Sequence, residues 1–394
     1  MEPVAHPAPI VPNLGGPVDP ASHVGHGVEY DEAQAALSGG GCVLTGDRRM
    51  GKTSLLAKLE ADLSAVGHVV VRVSGERSDP ATFGDDLLHA LQRHSVLRDE
   101  LTRWQVKVDV GYGGIRFVRD PDRGPVRAPP DTDDLLAWAA GRVGRAVGRR
   151  LVVMIDEVSV LVGTLEQQAQ GRGAGLLHDL RRARQEIPGL AIVLSGSIGL
   201  HHVVTDATAL NDIPKVRVGP LARPDAEELA FRLLAGAELA ATDPAAVAAA
   251  MAEATDGIAF YLHHLAHAAR RLGRAVEPGD AERLVTGALL DVDDRWNLGH
   301  YLARIKPYYG PDEPLALALL DLAADGDART VDELARLVAA VEVDPRPTRD
   351  DVARVTESLA ADHYLTVVPA QLPPTYGFSS SLLLRAWRVR RHLP

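Results

Sequence analysis

The sequence predicts an α/β fold: a doubly wound, mainly parallel five-stranded sheet, followed by a helical lid and a C-terminal winged-helix domain. Two observations predict the sheet. Short apolar runs recur through the first half of the chain, and helical patterns separate them. A third observation, helical periodicity over residues 224–294, predicts the lid. Parallel strands joined through helices are expected to have right-handed crossovers.

Five apolar runs are the candidate strands of this sheet. Each is short, aliphatic or β-branched, and bounded by polar residues or glycine, as a buried strand should be. They cover residues 41–45, 69–73, 151–155, 191–197 and 216–221. Residues 104–118 alternate partly around a glycine-rich turn, which predicts a hairpin inserted at about 104–130. Helices are predicted over 27–37, 54–63, 79–92 and 175–186, and another runs to about residue 147 from a cap at Asp131 or Thr132.

Length, charge and cysteine content narrow the class of protein. The chain has 394 residues, which predicts two or three domains, and 46% of them are hydrophobic, which is ample for a packed core. The formal net charge of −11 argues against a nucleic-acid binder that uses its whole surface. The single cysteine, Cys42, excludes an internal disulfide framework. With no long apolar run, the expected location is the cytoplasm and no membrane is expected as a partner.

One stretch fits the pattern G-x-x-x-x-G-K-[ST] of a phosphate-binding loop. Its glycines let the backbone turn sharply, and successive N–H groups then surround an anion at a helix N-terminus. In this pattern Lys52 reaches the β- and γ-phosphates of ATP and the Thr53 hydroxyl binds Mg2+. A predicted strand precedes the stretch and a predicted helix follows it, as the motif requires. The loop residues are Gly46, Asp47, Arg48, Arg49, Met50, Gly51, Lys52, Thr53 and Ser54.

A second stretch supplies two carboxylates after a buried strand. Asp156 and Glu157 directly follow the apolar run 151–155, at the carboxyl end of a strand, where an open α/β sheet binds its ligands. We expect Asp156 to hold Mg2+, mostly through water, and Glu157 to polarise the attacking water. Ser195 and Ser197, at the tip of the next strand, are candidates to contact the γ-phosphate or that water. Ser197 is the one assigned to catalysis.

The C-terminal part predicts a winged helix. Helices are expected over 314–324, 331–340 and 349–361, then a strand at 364–368, a second strand around 376–378 and a last helix over 382–391. Residues 312–394 contain nine arginines, no lysine and thirteen acidic residues, a balance opposite to that of a phosphate-driven DNA reader. A basic patch is expected only at Arg385, Arg388, Arg390 and Arg391. A protein-facing winged helix is therefore favoured over a DNA reader.

The order of the motifs resembles one family. The phosphate loop with Leu55 and Leu56 is similar to that of the archaeal-type P-loop ATPases of the STAND group of signalling ATPases, relatives of AAA+ and origin-initiator ATPases. The similarity covers roughly residues 24–392 and implies ATP and Mg2+ as cofactors. The further matching stretches are Ile155-Asp156-Glu157, Leu194-Ser195-Gly196-Ser197, Gly219-Pro220-Leu221, Thr255-Asp256-Gly257-Ile258-Ala259-Phe260-Tyr261 and Asp362-His363-Tyr364-Leu365.

Two positions depart from the family pattern. Val24-Gly25-His26-Gly27 stands where Gly-Arg-Glu is usual, and Ala259 replaces the proline of the lid motif.

The sequence predicts four segments. Residues 1–27 are expected to form a flexible arm, or a loop that closes over the nucleotide base. A core over 28–221, a lid over 222–305 and a winged helix over 306–394 follow. His263, His264 and His267 are spaced as metal ligands could be, but an ordinary helix surface is the favoured interpretation.

The resemblance implies a molecular switch that binds and slowly hydrolyses ATP with Mg2+ and contacts a partner, favoured to be a protein, through its winged helix, or self-associates. One alternative is a DNA-binding ATPase of the initiator or transposition-helper kind. Another is a nucleotide-binding scaffold that never hydrolyses. The partner, the signal and the oligomeric state are left open by the sequence.

Overall fold

The structure is a computed structural model that describes residues 8–76, 80–102, 106–111, 113–119, 134–196, 199, 202–203, 210–368 and 372–394. The chain divides into two compact units. One, the core unit, runs from Pro17 to Val218. The other, the C-terminal unit, consists of residues 8–16 together with Gly219–Pro394.

The core unit alternates strands with helices. Its strands are β1 (Gly41–Thr45), β2 (Val69–Ser74), β3 (Val106–Gly111), β4 (Gly114–Arg119), β5 (Leu151–Asp156), β6 (Leu190–Gly196) and β7 (Lys215–Arg217). Its helices are α1 (Gly27–Ala36), α2 (Lys52–Ala65), α3 (Pro80–Gln92), α4 (Ser95–Leu101), α5 (Leu135–Val147), α6 (Val158–Gln168) and α7 (Arg172–Glu186).

Five of these strands form one parallel sheet in the order β2-β5-β6-β1-β7, which confirms the predicted fold class. Every residue of β5 is buried, because helices cover both faces of a parallel sheet. Strand β6 lies between β1 and β5, with Leu44 paired to Ser195 and Ile155 paired to Leu194. The carboxyl ends of β1, β6 and β5 therefore lie side by side at one edge of the sheet. The predicted hairpin is the antiparallel pair β3-β4.

Several local predictions for the core unit were wrong. Helix α5 is capped by Asp134, whose side chain accepts hydrogen bonds from two backbone N–H groups, and residues 131 and 132, where the cap was expected, lie outside the described residues. Helices α4 and α6 were not predicted: α4 has only seven residues, too few for a clear period, and four of the first five residues of α6 are apolar, a short run that periodicity alone does not assign to a helix. Strand β7 ends at Arg217 and not at residue 221, and Pro220, within the expected strand, has no N–H to donate to a strand ladder.

The C-terminal unit begins with the helices of the predicted lid, α8 (Arg223–Gly236), α9 (Pro244–Ala254), α10 (Ala259–Ala269) and α11 (Pro278–Leu289). It continues with α12 (His300–Ala303), α13 (Ile305–Tyr309), α14 (Glu313–Ala323), β8 (Arg329–Thr330), α15 (Val331–Val338), α16 (Arg349–Ala361), β9 (Leu365–Val368), β10 (Thr375–Phe378) and α17 (Ser381–Arg391).

The last part of this unit has its own hydrophobic core, to which Leu319, Leu359 and Trp387 contribute. Its three strands form an antiparallel sheet in the order β8-β10-β9. The short strand β8 was not predicted, because two residues give no periodic signal. Helix α15 begins with a capping box, in which Thr330 and Glu333 satisfy each other's backbone N–H groups.

Residues before Gly27 make defined contacts in each unit. In the C-terminal unit the Ile10 N–H donates to the Arg232 carbonyl at 3.0 Å, and the Asn13 N–H donates to His263 Nδ1 at 3.1 Å. In the core unit the Val18 N–H donates to Ser54 Oγ at 3.2 Å. The expectation that this segment closes over a nucleotide base stays a prediction.

Cys42 is fully buried in β1, and burial raises the pKa of its thiol to about 12, as a structural cysteine requires. Within the described part of the chain, the helices are too short or too polar to cross a membrane.

Candidate nucleotide-binding site

The loop between β1 and α2 has a backbone that its two motif glycines make possible. Gly46 has φ +151°, and a Cβ there would lie 2.1 Å from the Val218 carbonyl oxygen. Gly51 has φ +94° and is the N-cap of α2. Side-chain-bearing residues avoid both conformations, so the loop can make its turn only with glycine at these places. The first N–H groups of α2 are consequently presented at the end of the strand.

Lys52, the first residue of α2, extends into this loop. Its side chain is buried, and Nζ donates to the carbonyl oxygens of Gly46 at 3.1 Å and Asp47 at 2.8 Å. The loop carbonyls thus hold a buried ammonium group where the motif places the phosphates. A buried cation of this kind attracts an anion strongly, because little water screens it.

Asp156 is the carboxylate at the carboxyl end of β5, and two hydroxyl groups from other elements fix it. Thr53 Oγ1 donates to Asp156 Oδ2 at 2.9 Å, and Ser195 Oγ donates to Asp156 Oδ1 at 2.7 Å. The Glu157 N–H also donates to Oδ1, at 3.2 Å. The structure therefore brings Thr53 and Asp156 together across 103 residues of sequence.

Glu157 is the N-cap of α6 and adopts the left-handed conformation, with φ +52°. Residues other than glycine rarely occupy this region, and those that do are concentrated at functional sites. The side chain is half-buried, directly beside Asp156 in the chain. Its predicted role with an attacking water stays a prediction.

The remaining loop residues shape the backbone. Asp47 is buried and its Oδ1 accepts from the Arg48 N–H at 2.7 Å. Arg48 faces solvent, where it pairs with Glu76 at 3.4 Å. Arg49 has φ +73°, so the tip of the loop uses a left-handed residue that is not glycine. The loop ends with Thr53, and Ser54 accepts from the N-terminal segment at Val18.

The two serines predicted at the tip of β6 have different outcomes. Ser197 lies outside the described residues, so its predicted contact with phosphate or water stays a prediction. Ser195 is fully buried and its hydroxyl is committed to Asp156. Its expected contact with a phosphate or an attacking water stays a prediction, while the partner that the structure shows is the Asp156 carboxylate. The motif placed Ser195 near the site, but only the strand order shows which group it contacts.

His26 is a residue at the loop that the motif search did not assign. It is buried and left-handed (φ +57°), and its imidazole Cε1 lies 3.1 Å from where a Cβ on Gly51 would stand. Its ring therefore packs on the second glycine of the phosphate loop. The sequence signal for it was the departure from Gly-Arg-Glu at residues 24–27.

His263 is one of the three histidines of α10 that are spaced as metal ligands could be, and the structure shows another role for it. His263 was expected on a helix surface, but it is buried, and burial lowers its pKa to about 4. The neutral ring accepts a hydrogen bond from the Asn13 N–H, which requires an unprotonated Nδ1. His263 therefore anchors the N-terminal segment to α10.

The residues of the loop fit ATP with Mg2+. Thr53 and Asp156 offer two hard oxygen donors 2.9 Å apart, and the Lys52 ammonium lies in the adjacent loop. Among the described residues there is no group of three or more His, Cys, Asp or Glu placed to hold a metal without a ligand's help. Mg2+ commonly binds through one or two protein oxygens together with phosphates and water, as this arrangement allows.

The fold has counterparts among solved structures, although no protein-family model and no curated protein matches the chain. A Walker-type ATPase of Pyrococcus abyssi is 18% identical, with a TM-score of 0.65 over 95% of this chain and 99% of that chain. The ORC2 protein of Aeropyrum pernix, solved in complexes with ADPNP and ADP, is 14% identical, with a TM-score of 0.50 over 94% and 96%. This chain therefore has the fold of P-loop ATPases.

Proposed function

We propose that this protein binds ATP with Mg2+, hydrolyses it slowly, and acts as a STAND-like molecular switch whose C-terminal winged helix contacts a protein partner. One observation carries the proposal. The phosphate loop, with buried Lys52, lies beside a hydrogen-bonded pair, Thr53 and Asp156, that offers the oxygen ligands of a nucleotide-bound cation.

Each residue of the site has a role that its chemistry allows. The N–H groups at the start of α2 and the Lys52 ammonium bind the β- and γ-phosphates. Thr53 and Asp156 hold Mg2+, which when bound neutralises phosphate charge. Glu157 orients the attacking water and accepts its proton at the carboxylate. Ser197 stays the proposed contact of the γ-phosphate on the sequence motif alone.

The switch requires a connection from the phosphate loop to the C-terminal unit, and the chain itself offers one. In the core unit, the Val218 N–H donates to the Thr45 carbonyl at 2.7 Å, next to Gly46. Three residues later the chain is in the C-terminal unit, where the Leu221 N–H donates to the Gly257 carbonyl at 3.0 Å. A loop that adjusts to the γ-phosphate can thus displace the segment that enters the lid.

Asp256 carries this connection to the last helix. Its backbone is left-handed (φ +50°), and its carboxylate accepts from Ser381 Oγ and from the Leu382 N–H, each at 2.7 Å. The lid motif 255–261 is thereby fixed to the first turn of α17. ATP shifts the population of such a two-state element if it binds one state more tightly than ADP does.

Paired charges in the last helices favour a protein partner over DNA. Three of the four arginines in the predicted basic patch form ion pairs, and Arg388 Nε donates to the Ala324 carbonyl at 2.5 Å. The predicted patch is therefore largely neutralised. Winged helices that bind DNA present such charges to phosphates, and here internal partners occupy them. The ion pairs are Arg385–Glu282 at 2.6 Å, Arg390–Asp294 at 2.8 Å and Arg391–Asp321 at 2.6 Å.

The helix that would read DNA in this arrangement is α16, and its arginines are engaged as well. Arg354 forms a two-pronged ion pair with Asp312, at 2.6 and 2.9 Å. Arg349 pairs with Asp332 at 2.6 Å. The strand and helix order α14-β8-α15-α16-β9-β10 supports the assignment of a winged helix. We assign 222–305 to the lid and 306–394 to this domain.

Replacing Asp256 by alanine tests the switch. Hydrogen exchange of the wild type is expected to change in residues 257–261 and 306–394 when ATP replaces ADP, beyond the nucleotide's own contacts. In Asp256→Ala the response of α17 should disappear, and the loss of the two hydrogen bonds to the first turn of α17 should cost about 1–3 kcal/mol of local stability. In Asp256→Gly the glycine tolerates the left-handed backbone, and the response of α17 to ATP should disappear in this variant as well.

The matched control is Asp243→Ala, since Asp243 caps α9 in the same unit with two backbone hydrogen bonds at 3.1 Å. This variant should lose similar local stability and keep the nucleotide response of α17. If α17 of Asp256→Ala responds to ATP as in the wild type, the proposed connection is wrong. Exchange that changes only near 46–54 and 156–157 in the wild type would leave nucleotide binding without a switch.

A further inference from the structure

The carboxylate of Asp156 has two oxygens with different partners. Oδ2 accepts from Thr53, which belongs to the phosphate loop. Oδ1 accepts a hydrogen bond from the Ser195 hydroxyl at 2.7 Å, and no sequence motif predicts this bond. Ser195 is the last fully buried residue of β6, and Asp156 is 9% exposed.

The strand order explains why this contact exists. Strand β1, which leads to Thr53, and β5, which ends in Asp156, are not neighbours, because β6 lies between them. A carboxylate that reaches from β5 toward the start of α2 must therefore pass the end of β6. Ser195 is paired with Leu44 of β1, and the residue before it, Leu194, is paired with Ile155 of β5. Its hydroxyl consequently lies within hydrogen-bonding distance of the carboxylate.

We infer that Ser195 is a positioning residue, which holds the Asp156 carboxylate in the rotation that presents Oδ2 to Thr53 and to Mg2+. This inference rests on the proposed function, since it concerns the cation that accompanies ATP. A terminal carboxylate rotates easily about its last torsion, because that torsion has broad, shallow minima. The hydroxyl at 2.7 Å is a strong charge-assisted donor, whereas the Glu157 N–H at 3.2 Å is long.

If Ser195 positions the carboxylate, its loss should change Mg2+ binding and leave phosphate binding intact; a merely structural role would leave the Mg2+ dependence unchanged. Without the Ser195 hydroxyl, one oxygen of a nearly buried carboxylate keeps only the long backbone bond and the group can turn away from Thr53. The affinity for Mg2+ then falls, while the Lys52 ammonium and the loop N–H groups still bind phosphate. Partners that orient a metal ligand typically change metal affinity by about 10–100-fold.

The test is calorimetric titration of ATP at a series of Mg2+ concentrations and in excess EDTA, with the wild type and Ser195→Ala. We expect the half-saturating Mg2+ concentration to rise about 10–100-fold in the variant, and the ATP affinity in EDTA to be unchanged. Ser159→Ala is the matched control. Ser159 is also buried, on α6, and its hydroxyl has no hydrogen-bond partner among the described residues.

The outcomes separate the inference from the proposed function. An unchanged Mg2+ dependence in Ser195→Ala, with Mg2+-dependent binding in the wild type, would overturn the inference alone. Absence of ATP binding by the wild type would overturn both. If the alanine variant does not fold, Ser195→Cys, which offers only a weak donor, takes its place. A Mg2+ dependence equal to that of the wild type would overturn the inference there too.

Discussion

Replacing Lys52 by alanine is expected to abolish ATP binding at micromolar nucleotide concentrations. The ammonium group is buried in the loop, with its donors now on the Gly46 and Asp47 carbonyls, and ATP would offer it phosphate oxygens instead. Hydrogen bonds to charged groups contribute about 1.5–3 kcal/mol each, so losing two of them weakens binding by about two to four powers of ten. Titration calorimetry with ATP and Mg2+ measures this directly.

The chain offers a close control for that variant. Lys58 lies on the same helix, about one and two-thirds turns further along, and pairs with Asp62 at 2.9 Å on the surface. Lys58→Ala removes the same charge from α2 without touching the loop, and its ATP affinity should match that of the wild type. Equal affinity in Lys52→Ala and the wild type would show that ATP does not bind at this loop.

Replacing Glu157 by glutamine is expected to leave ATP bound and to slow its hydrolysis. The amide has the shape of the carboxylate but cannot accept a proton from water, and a positioned general base typically contributes about 10²–10⁴-fold to a rate. ATP affinity should stay within about twofold of the wild type, since the phosphates are held by other groups. Single-turnover measurement of phosphate formation, with saturating protein, gives the rate.

Glu238→Gln is the matched control, because it also replaces by glutamine a glutamate whose backbone is in the left-handed conformation. Glu238 has φ +55°, close to the +52° of Glu157, and its side chain is exposed in the other unit. Turnover in this control should equal that of the wild type. Wild-type turnover in Glu157→Gln would mean that another group activates the water.

Local sequence was sufficient for the parts of the site that neighbouring residues determine. The glycines at 46 and 51, the strand before them and the helix after them form one continuous stretch. The same holds for the buried strand that ends at Asp156. The fold class followed from the alternation of such stretches, and the parallel five-stranded sheet confirms it. These features depend on hydrophobic period and backbone freedom, which adjacent residues encode.

Contacts between distant residues could not be predicted in this way. The role of Ser195 depends on β6 lying between β1 and β5, and strand order is a property of the whole sheet. The four C-terminal arginines look like a basic patch in sequence because their partners, such as Glu282 and Asp321, lie more than 60 residues away. His263 looked like a surface residue because its partner, Asn13, lies 250 residues away.

The central claim, that this chain is a Mg2+-dependent ATPase, is tested most directly by phosphate release from ATP. The wild type, Lys52→Ala and Glu157→Gln are compared with Mg2+ and with EDTA, and ATP binding is measured on the same samples. We predict slow, Mg2+-dependent release by the wild type alone, with ATP bound by the wild type and Glu157→Gln but not by Lys52→Ala. Release by Lys52→Ala at the wild-type rate, or a wild type that binds no ATP in Mg2+, would contradict the account.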